Sequence, residues 1–350
     1  MVFTQNQLPN LVDWARMADP DGSIADIAWL LAQCNDILKD MIWQEGNMTL
    51  GHKVSVNVGL PQGTWRGNNQ GVAASKMLNA QVQFSIGELV SYSMVDKSEA
   101  NLNGDVGKFR WNQDQSHIEG MSQQIAAAMM YSNEATNPQQ FTGFSPYYNT
   151  LSTATAQSAS NVIDGGGLAS ANASLWLTGW GDNTTFGIFP KGSQAGLVYE
   201  DKGDITPLYD SNGNRFEGYT SYFCWKIGLC VKNWEYNVRI ANLDTTTAGL
   251  AGTAPPDLFV LMSQAVVKLP TLTRRASGIT EVDSPGDPVP GIMPAWYCNR
   301  TIRSYLDIQA IRDKNVLLSS KDYAGEPVMT FRDVPIRVVD ALTNSETAIS

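Results

Sequence analysis

The chain has 350 residues, enough for one large domain or two to three ordinary ones, and its 43% hydrophobic content supplies a sizeable core. Only 17% of it is charged, below the roughly 25% usual in soluble proteins, and 24 basic against 34 acidic residues leave a net charge of −10. Lys and Arg neutralising phosphates supply most nucleic-acid affinity, so this balance excludes a strong nucleic-acid binder, though not a container for DNA. No apolar run approaches the roughly 20 residues of a membrane span.

Low charge with abundant Asn, Gln, Ser and Thr points to surfaces that meet other protein rather than water. The opening "MVFTQNQLPNLVDWARMADP" lacks the apolar stretch of a signal peptide, so a cytosolic product is expected. The triplets at Asn47, Asn172, Asn183 and Asn299 then carry no meaning for glycosylation. Cys34, Cys224, Cys230 and Cys298 lack metal or redox spacing. Cys224 and Cys230 flank an expected hairpin turn, and the cysteines read as small apolar filler rather than a disulfide.

In chain order, Ile24, Ile27, Leu31, Cys34, Leu38 and Met41 recur at helical spacing after a capping pair, Ser23 and Asp26. Val54, Val56 and Val58, then Val82, Phe84 and Ile86, alternate with polar residues and predict two strands. Some twenty residues rich in Gly, Asn and Gln separate them, where two to five are usual, so the connection is expected to project and find a partner. It holds Trp65, Arg66, Val72 and Met77 with too little local sequence to bury them.

A long helix follows, striped by Ile118, Met121, Ile125, Ala128 and Met129, with Gln115, Glu119 and Gln123 outward. Its start is near Asp105 or at Asn112, and Asn133, Asn137 and Pro138 end it. Residues 169–243 are rich in short β-favouring runs, with an Asn-Gly hairpin turn in "YDSNGNRFEG". A helix with Pro256 in its first turn, a Pro/Gly-rich loop, a short helix capped by Asn299 and a strand–turn–strand, "VMTFRDVPIRVVDAL", complete a mixed α+β order without internal repeats.

Chemistry is sparse. Neither His52 nor His117 lies near a nucleophile elbow, and there is no zinc motif. "DSNGNRFEG" has Arg215 at the sixth position, where a calcium loop needs Gly, and lacks the acid at position twelve, and "DGGGLAS" reads as a flexible linker rather than a phosphate cradle. Trp176, Trp180, Trp225 and Trp234, with Asp182, Glu200 and Asp201 nearby, could stack sugars and cleave them, but strand tryptophans are far more often core anchors. No catalytic residue, metal or cofactor is expected.

Two stretches carry a family resemblance. "AQVQFSIGELVSYSMVDKSEANLNGDVGKFRWNQDQSHIEGMSQQIAAAMMYSNEATNPQQFTGF" resembles the passage in phage coat proteins where a strand leaving an extended loop leads into a spine helix. "SLWLTGWGDNTTFGIFPKGSQAGLVYEDKGD" with "YFCWKIGLCVKNWEYNVRIANL" is similar to a block of a podophage-related coat subfamily. The chain thus resembles, over nearly its whole length, major capsid proteins of tailed bacteriophages with the Johnson fold.

The resemblance implies an N-terminal arm at 1–44 and an extended loop at 45–95. It implies a peripheral domain with the spine helix at 96–150, a β-rich axial domain at 151–315, and C-terminal strands at 316–350. One departure is that the axial strands come early and the chain ends soon after Asp340, which a permuted order of elements would explain. The implied function is self-assembly into pentamers and hexamers of an icosahedral shell around double-stranded DNA, with no sequence-specific DNA binding and no membrane. Intersubunit contacts are implied for Lys53, Leu60, Trp65, Arg66, Asn69, Val72 and Lys76. Portal, scaffolding and cementing proteins are implied partners. Some phage shells crosslink Lys to Asn, and Lys53 and Lys76 carry no specific signal for it. A carbohydrate-acting β-protein and a tail or baseplate protein are the rival readings.

Overall fold

The computed structural model describes residues 35–59, 61–101, 105–168, 170–203, 206–209, 213–246, 249–250, 252, 255–270, 282–284, 287–288, 292–312, 318–323 and 326–350. The first part of the chain contributes β1 (Trp43–Glu45), β2 (Gly51–Gly59), β3 (Leu78–Ser85) and β4 (Gly87–Asp96). The middle adds β5 (Val162–Asp164), β6 (Asn172–Trp180), β7 (Thr185–Phe189), β8 (Leu197–Asp201), β9 (Thr206–Tyr209), β10 (Arg215–Val231) and β11 (Asn237–Asp244). Last come a small ladder of β12 (Val282–Ser284) and β13 (Asp287–Pro288), then β14 (Met293–Cys298), β15 (Leu318–Tyr323), β16 (Glu326–Phe331) and β17 (Val334–Val338). This is the mixed α+β order expected.

β10 is the beam of the molecule. At 17 residues and about 3.3 Å each it runs roughly 55 Å. Its first part pairs with β9 and β8 on one side and β4 on the other, and its last four residues pair with β7. β7 leads to β6, which lies antiparallel between β11 and β14; β17, β16 and β15 extend the far edge. A hairpin at Cys224–Cys230 was expected, but nothing there turns the chain: Trp225, Ile227 and Leu229 alternate with Lys226 and Gly228, no Asn-Gly or Pro pair interrupts them, and the pairing with β4 and then β7 runs on through the stretch. Six residues apart along one strand, the two thiols stand roughly 20 Å from each other, and both are free and buried. The expected hairpin at "YDSNGNRFEG" does form, pairing Tyr209 with Arg215.

All nine residues of β6 are buried, because both of its faces are covered. Trp176 and Trp180 point into a core shared with Phe144, Tyr148, Phe186 and the long helix's Ile125 and Met129. Leu175 and Leu177 point the other way, against Val238, Ile240, Trp296 and the helices Leu258–Lys268 and Arg300–Arg312. Asn299 caps the second of these helices, accepting from Ile302 N at 2.8 Å, as its sequence suggested. In the first, Asp257 takes the cap by accepting from Phe259 N, so Pro256 precedes the helix rather than opening its first turn.

The long helix spans Val106–Tyr131, with the Asp105 carboxylate accepting from Lys108 N at 3.0 Å; of the two starts considered, Asp105 is the one used. Met121, Ile125 and Met129 are buried at the expected spacing. Most of the helix read at 24–41 lies outside the described residues; within them Ile37–Asp40 is helical and Met41 is already extended. "DGGGLAS" is not a free linker up to Leu168, since Gly165 N and Gly167 N donate to Ala241 O and Asn242 O, both at 2.8 Å; Ala169 lies outside the described residues.

Candidate functional site

β2 and β3 form a two-stranded ribbon of their own, in register from Gly51↔Ser85 to Asn57↔Asn79. Its base is tied down. The Asn47 side chain donates to Lys53 O (2.7 Å) and accepts from Lys53 N (2.8 Å), Ile86 N donates to Leu50 O, and Val54 and Phe84 join the tryptophan-rich core.

Toward the tip the burial stops. Residues 61–77 have no regular structure and every one of them is exposed. Trp65 is 101% exposed, with Val58, Val72, Met77 and Leu78 at 50% or more. Burying a side chain of Trp65's size is worth up to roughly 5 kcal/mol, so the tip is built for a surface it does not meet within its own chain. Arg66, Val72 and Lys76 stand free to solvent beside it, Lys53 is exposed on β2, and Asn69 adopts the left-handed turn conformation (φ +64°) that Asn tolerates best. Leu60 lies outside the described residues. Between residues 51 and 85 the sequence has Lys53, Arg66 and Lys76 and no acid, in a chain of net charge −10.

Behind the ribbon, β4, β10 and β8 form a sheet with one face under the long helix. His117 stacks on Phe223 (6.0 Å between ring centroids) and its Nδ1 lies 2.7 Å from Ser91 Oγ. Asp114 accepts from Ser221 Oγ at 3.0 Å, and Arg110 reaches Asp201 at 2.7 Å across the Tyr219 ring. Burial lowers the His117 pKa, with Asp114 opposing it weakly, so the ring is a neutral packing group. His52, also lowered by burial and then by Lys232, packs edge-on against Phe186. The sheet's other face shows Val90, Tyr92 and Val198, each at least 40% exposed, with Tyr92 leaning on Tyr222.

Trp176 and Trp180 are at most 1% exposed and cannot stack a sugar, while Trp225 and Trp234 pack partly buried against the same core. Among the described residues no His, Cys, Asp and Glu group could hold a metal. No described helix is long and apolar enough to cross a membrane.

Sequence reasoning missed two features. Val260 and Val267 on one helix, and Ile308 and Ile311 on the next, add exposed apolar patches; their i+7 and i+3 spacing, off the buried stripe, was the available signal. A buried cluster also escaped it: Arg239 Nη2 meets Glu346 at 2.9 Å, and Ser174 and Tyr131 (2.6 Å) donate to the same carboxylate. Arg239 stacks on Trp176 as well. This cluster fastens the C-terminal tail to both the long helix and β6.

The family described as "Major capsid protein GP7" matches residues 19–350. A near-atomic cryo-EM structure of bacteriophage epsilon15 is similar over 99% of both chains, with 29% identity and a TM-score of 0.72. The capsid of bacteriophage JBD30 aligns over 91% of each chain at 10% identity and TM-score 0.45. An encapsulin, SrpI of Synechococcus elongatus, covers 67% of this chain and 96% of its own at 9% identity and TM-score 0.45. No curated protein sequence matches.

Proposed function

The chain belongs to the GP7 family of major capsid proteins, and from that premise we propose how its parts divide the work of building a shell. Its fold is the Johnson type, and its function is structural: it is the major capsid protein of a tailed bacteriophage and forms the icosahedral shell of the virion from its own hexamers and pentamers.

In our reading, residues 1–44 act as an arm and 45–95 as the extended loop laid over an adjacent subunit. Residues 96–150 form the peripheral domain and 151–315 the axial domain at the centre of each ring, with 316–350 returning as terminal strands. Lys53, Leu60, Trp65, Arg66, Asn69, Val72 and Lys76 make the intersubunit contacts of the loop. A portal protein, a scaffolding protein and a cementing protein are the further partners, and assembly proceeds in the host cytoplasm around double-stranded DNA held without sequence-specific contacts. The chain acts without catalysis.

The observation that carries this division is the ribbon itself: anchored at Val54 and Phe84, apolar and fully exposed at Trp65. Expression of the chain alone and beside neighbouring phage genes, followed by sedimentation and negative-stain microscopy, tests it. Closed shells or discrete rings are expected. A monomer under both conditions would overturn the reading.

A further inference from the structure

Residues 341–349, "ALTNSETAI", cross the surface without regular structure, and Thr343, Asn344, Ser345, Thr347 and Ala348 are exposed. A segment with so little apolar burial can open locally while the rest of the fold stays closed. What holds it is a set of directional polar bonds to two different parts of the molecule.

On the helix side, Tyr131, the last residue of the long helix, donates its hydroxyl to Glu346 at 2.6 Å and accepts from Thr343 N at 3.1 Å. On the sheet side, Glu346 and Asn172 at the start of β6 exchange both backbone bonds, at 2.9 and 3.2 Å. Arg239 of β11 holds the Glu346 carboxylate at 2.9 Å. Three residues on, the Asn242 side chain donates to Ile349 O at 3.0 Å and accepts from Ile349 N at 2.9 Å, as a strand partner would. Asn242 is 4% exposed and has φ +57°, at the register shift between β11 and β6. A left-handed residue inside a strand costs energy, and this one is where the sheet takes hold of Ile349.

The helix also meets β6 through the apolar core of Ile125, Met129, Phe144, Trp176 and Trp180. Apolar attraction is non-directional, whereas a hydrogen bond weakens steeply off its axis. Residues 341–349 therefore supply the resistance to a small rotation of helix against sheet.

We propose that residues 341–349 are a strap that fixes the angle between the long helix and the β6–β11 sheet, and through that angle the curvature of the shell. This rests on the reading of the chain as a shell subunit and assigns one determinant of shell size. Subunits that touch different neighbours through different parts close on one diameter only when the angle between those parts is held. Tyr131 and Thr343 set the strap against the helix, and Asn172, Arg239 and Asn242 set it against the sheet.

The test cuts the strap once on each side in the full chain. Asn242→Gly keeps the left-handed backbone and removes both bonds to Ile349, while Tyr131→Phe keeps the ring and removes the bonds to Glu346 and Thr343. Assembled particles are sized by cryo-EM, and hydrogen exchange in peptides covering 341–350 and β6 is read by mass spectrometry. In each variant, exchange in 341–350 is expected to rise roughly 30-fold, the loss of two ordinary hydrogen bonds, with β6 unchanged. Shells are expected to spread over several diameters where the parent gives one. A single parental diameter with a loosened 341–350 would overturn the strap's role and leave the shell reading standing. Unchanged exchange in 341–350 would overturn the strap itself. If one variant loses the protection of β6 it has unfolded, and the other decides; loss of β6 protection in both would make the segment part of the core and overturn the strap as well. No shells from the parent would overturn the shell reading, and the strap's role with it.

Discussion

Removing the Glu346 carboxylate would leave the Arg239 guanidinium charged and buried, since the two side chains are only 4% and 7% exposed. Breaking such a pair from one side costs about 3–5 kcal/mol, more than the pair contributes in net attraction. Glu346→Ala is therefore expected to lower the unfolding free energy in urea by that amount, and Glu346→Gln by less, because it keeps hydrogen-bonding partners for Ser174 and Tyr131. His117 gives a pH dependence of definite sign. Its folded pKa lies below 6.5, so the unfolded chain binds the extra proton first, and stability falls as pH drops through 6.5 toward the folded value. Thermal unfolding between pH 7 and pH 5 is expected to fall less steeply in His117→Gln, whose amide can still meet Ser91. Asp40 works the other way at lower pH: burial raises its carboxyl despite Arg337 and Tyr297, so holding it ionised costs stability above its ordinary range.

The helix is the element whose sequence and structure agree best, and it contains an unforced weakness. A Cβ at Gly120 would meet nothing within 4 Å and the backbone there is ordinary helix. Gly120→Ala is expected to stabilise the protein by about 0.5–1 kcal/mol, read as a shift in urea midpoint at unchanged slope. Gly143 is the contrast: its Cβ would lie 2.5 Å from Ala128 O, so the loop after the helix can return against it only without a side chain. β10 is the element that defeated local reading. Its Cys224 and Cys230 suggested a turn, while its pairing with β4, β7, β8 and β9 keeps it straight.

For the whole molecule, folding and assembly separate at the ribbon's tip. Replacing residues 60–77 by Asn-Gly removes 61–77, whose side chains bury nothing at home. Shortening the closed loop from about 18 residues to two saves up to roughly 2 kcal/mol of closure entropy. The variant is expected to unfold at the same urea concentration or slightly higher, and to form no shells by sedimentation. Equal shell yield would separate the tip from assembly.

By itself the sequence determined the periodic elements: the alternating strands around Val54 and Phe84, the stripe through Met121, Ile125 and Met129, the Asn299 cap, and a connection too long and too apolar to be an ordinary turn. These follow from residues within one or two turns of each other, where spacing alone sets the face. Only the tertiary structure decided that Trp176 and Trp180 are core rather than sugar platforms, that β10 is one beam, and that Glu346 closes on an arginine 107 positions away. Burial and ion pairing depend on what arrives from elsewhere in the chain, and local spacing does not encode the arrival.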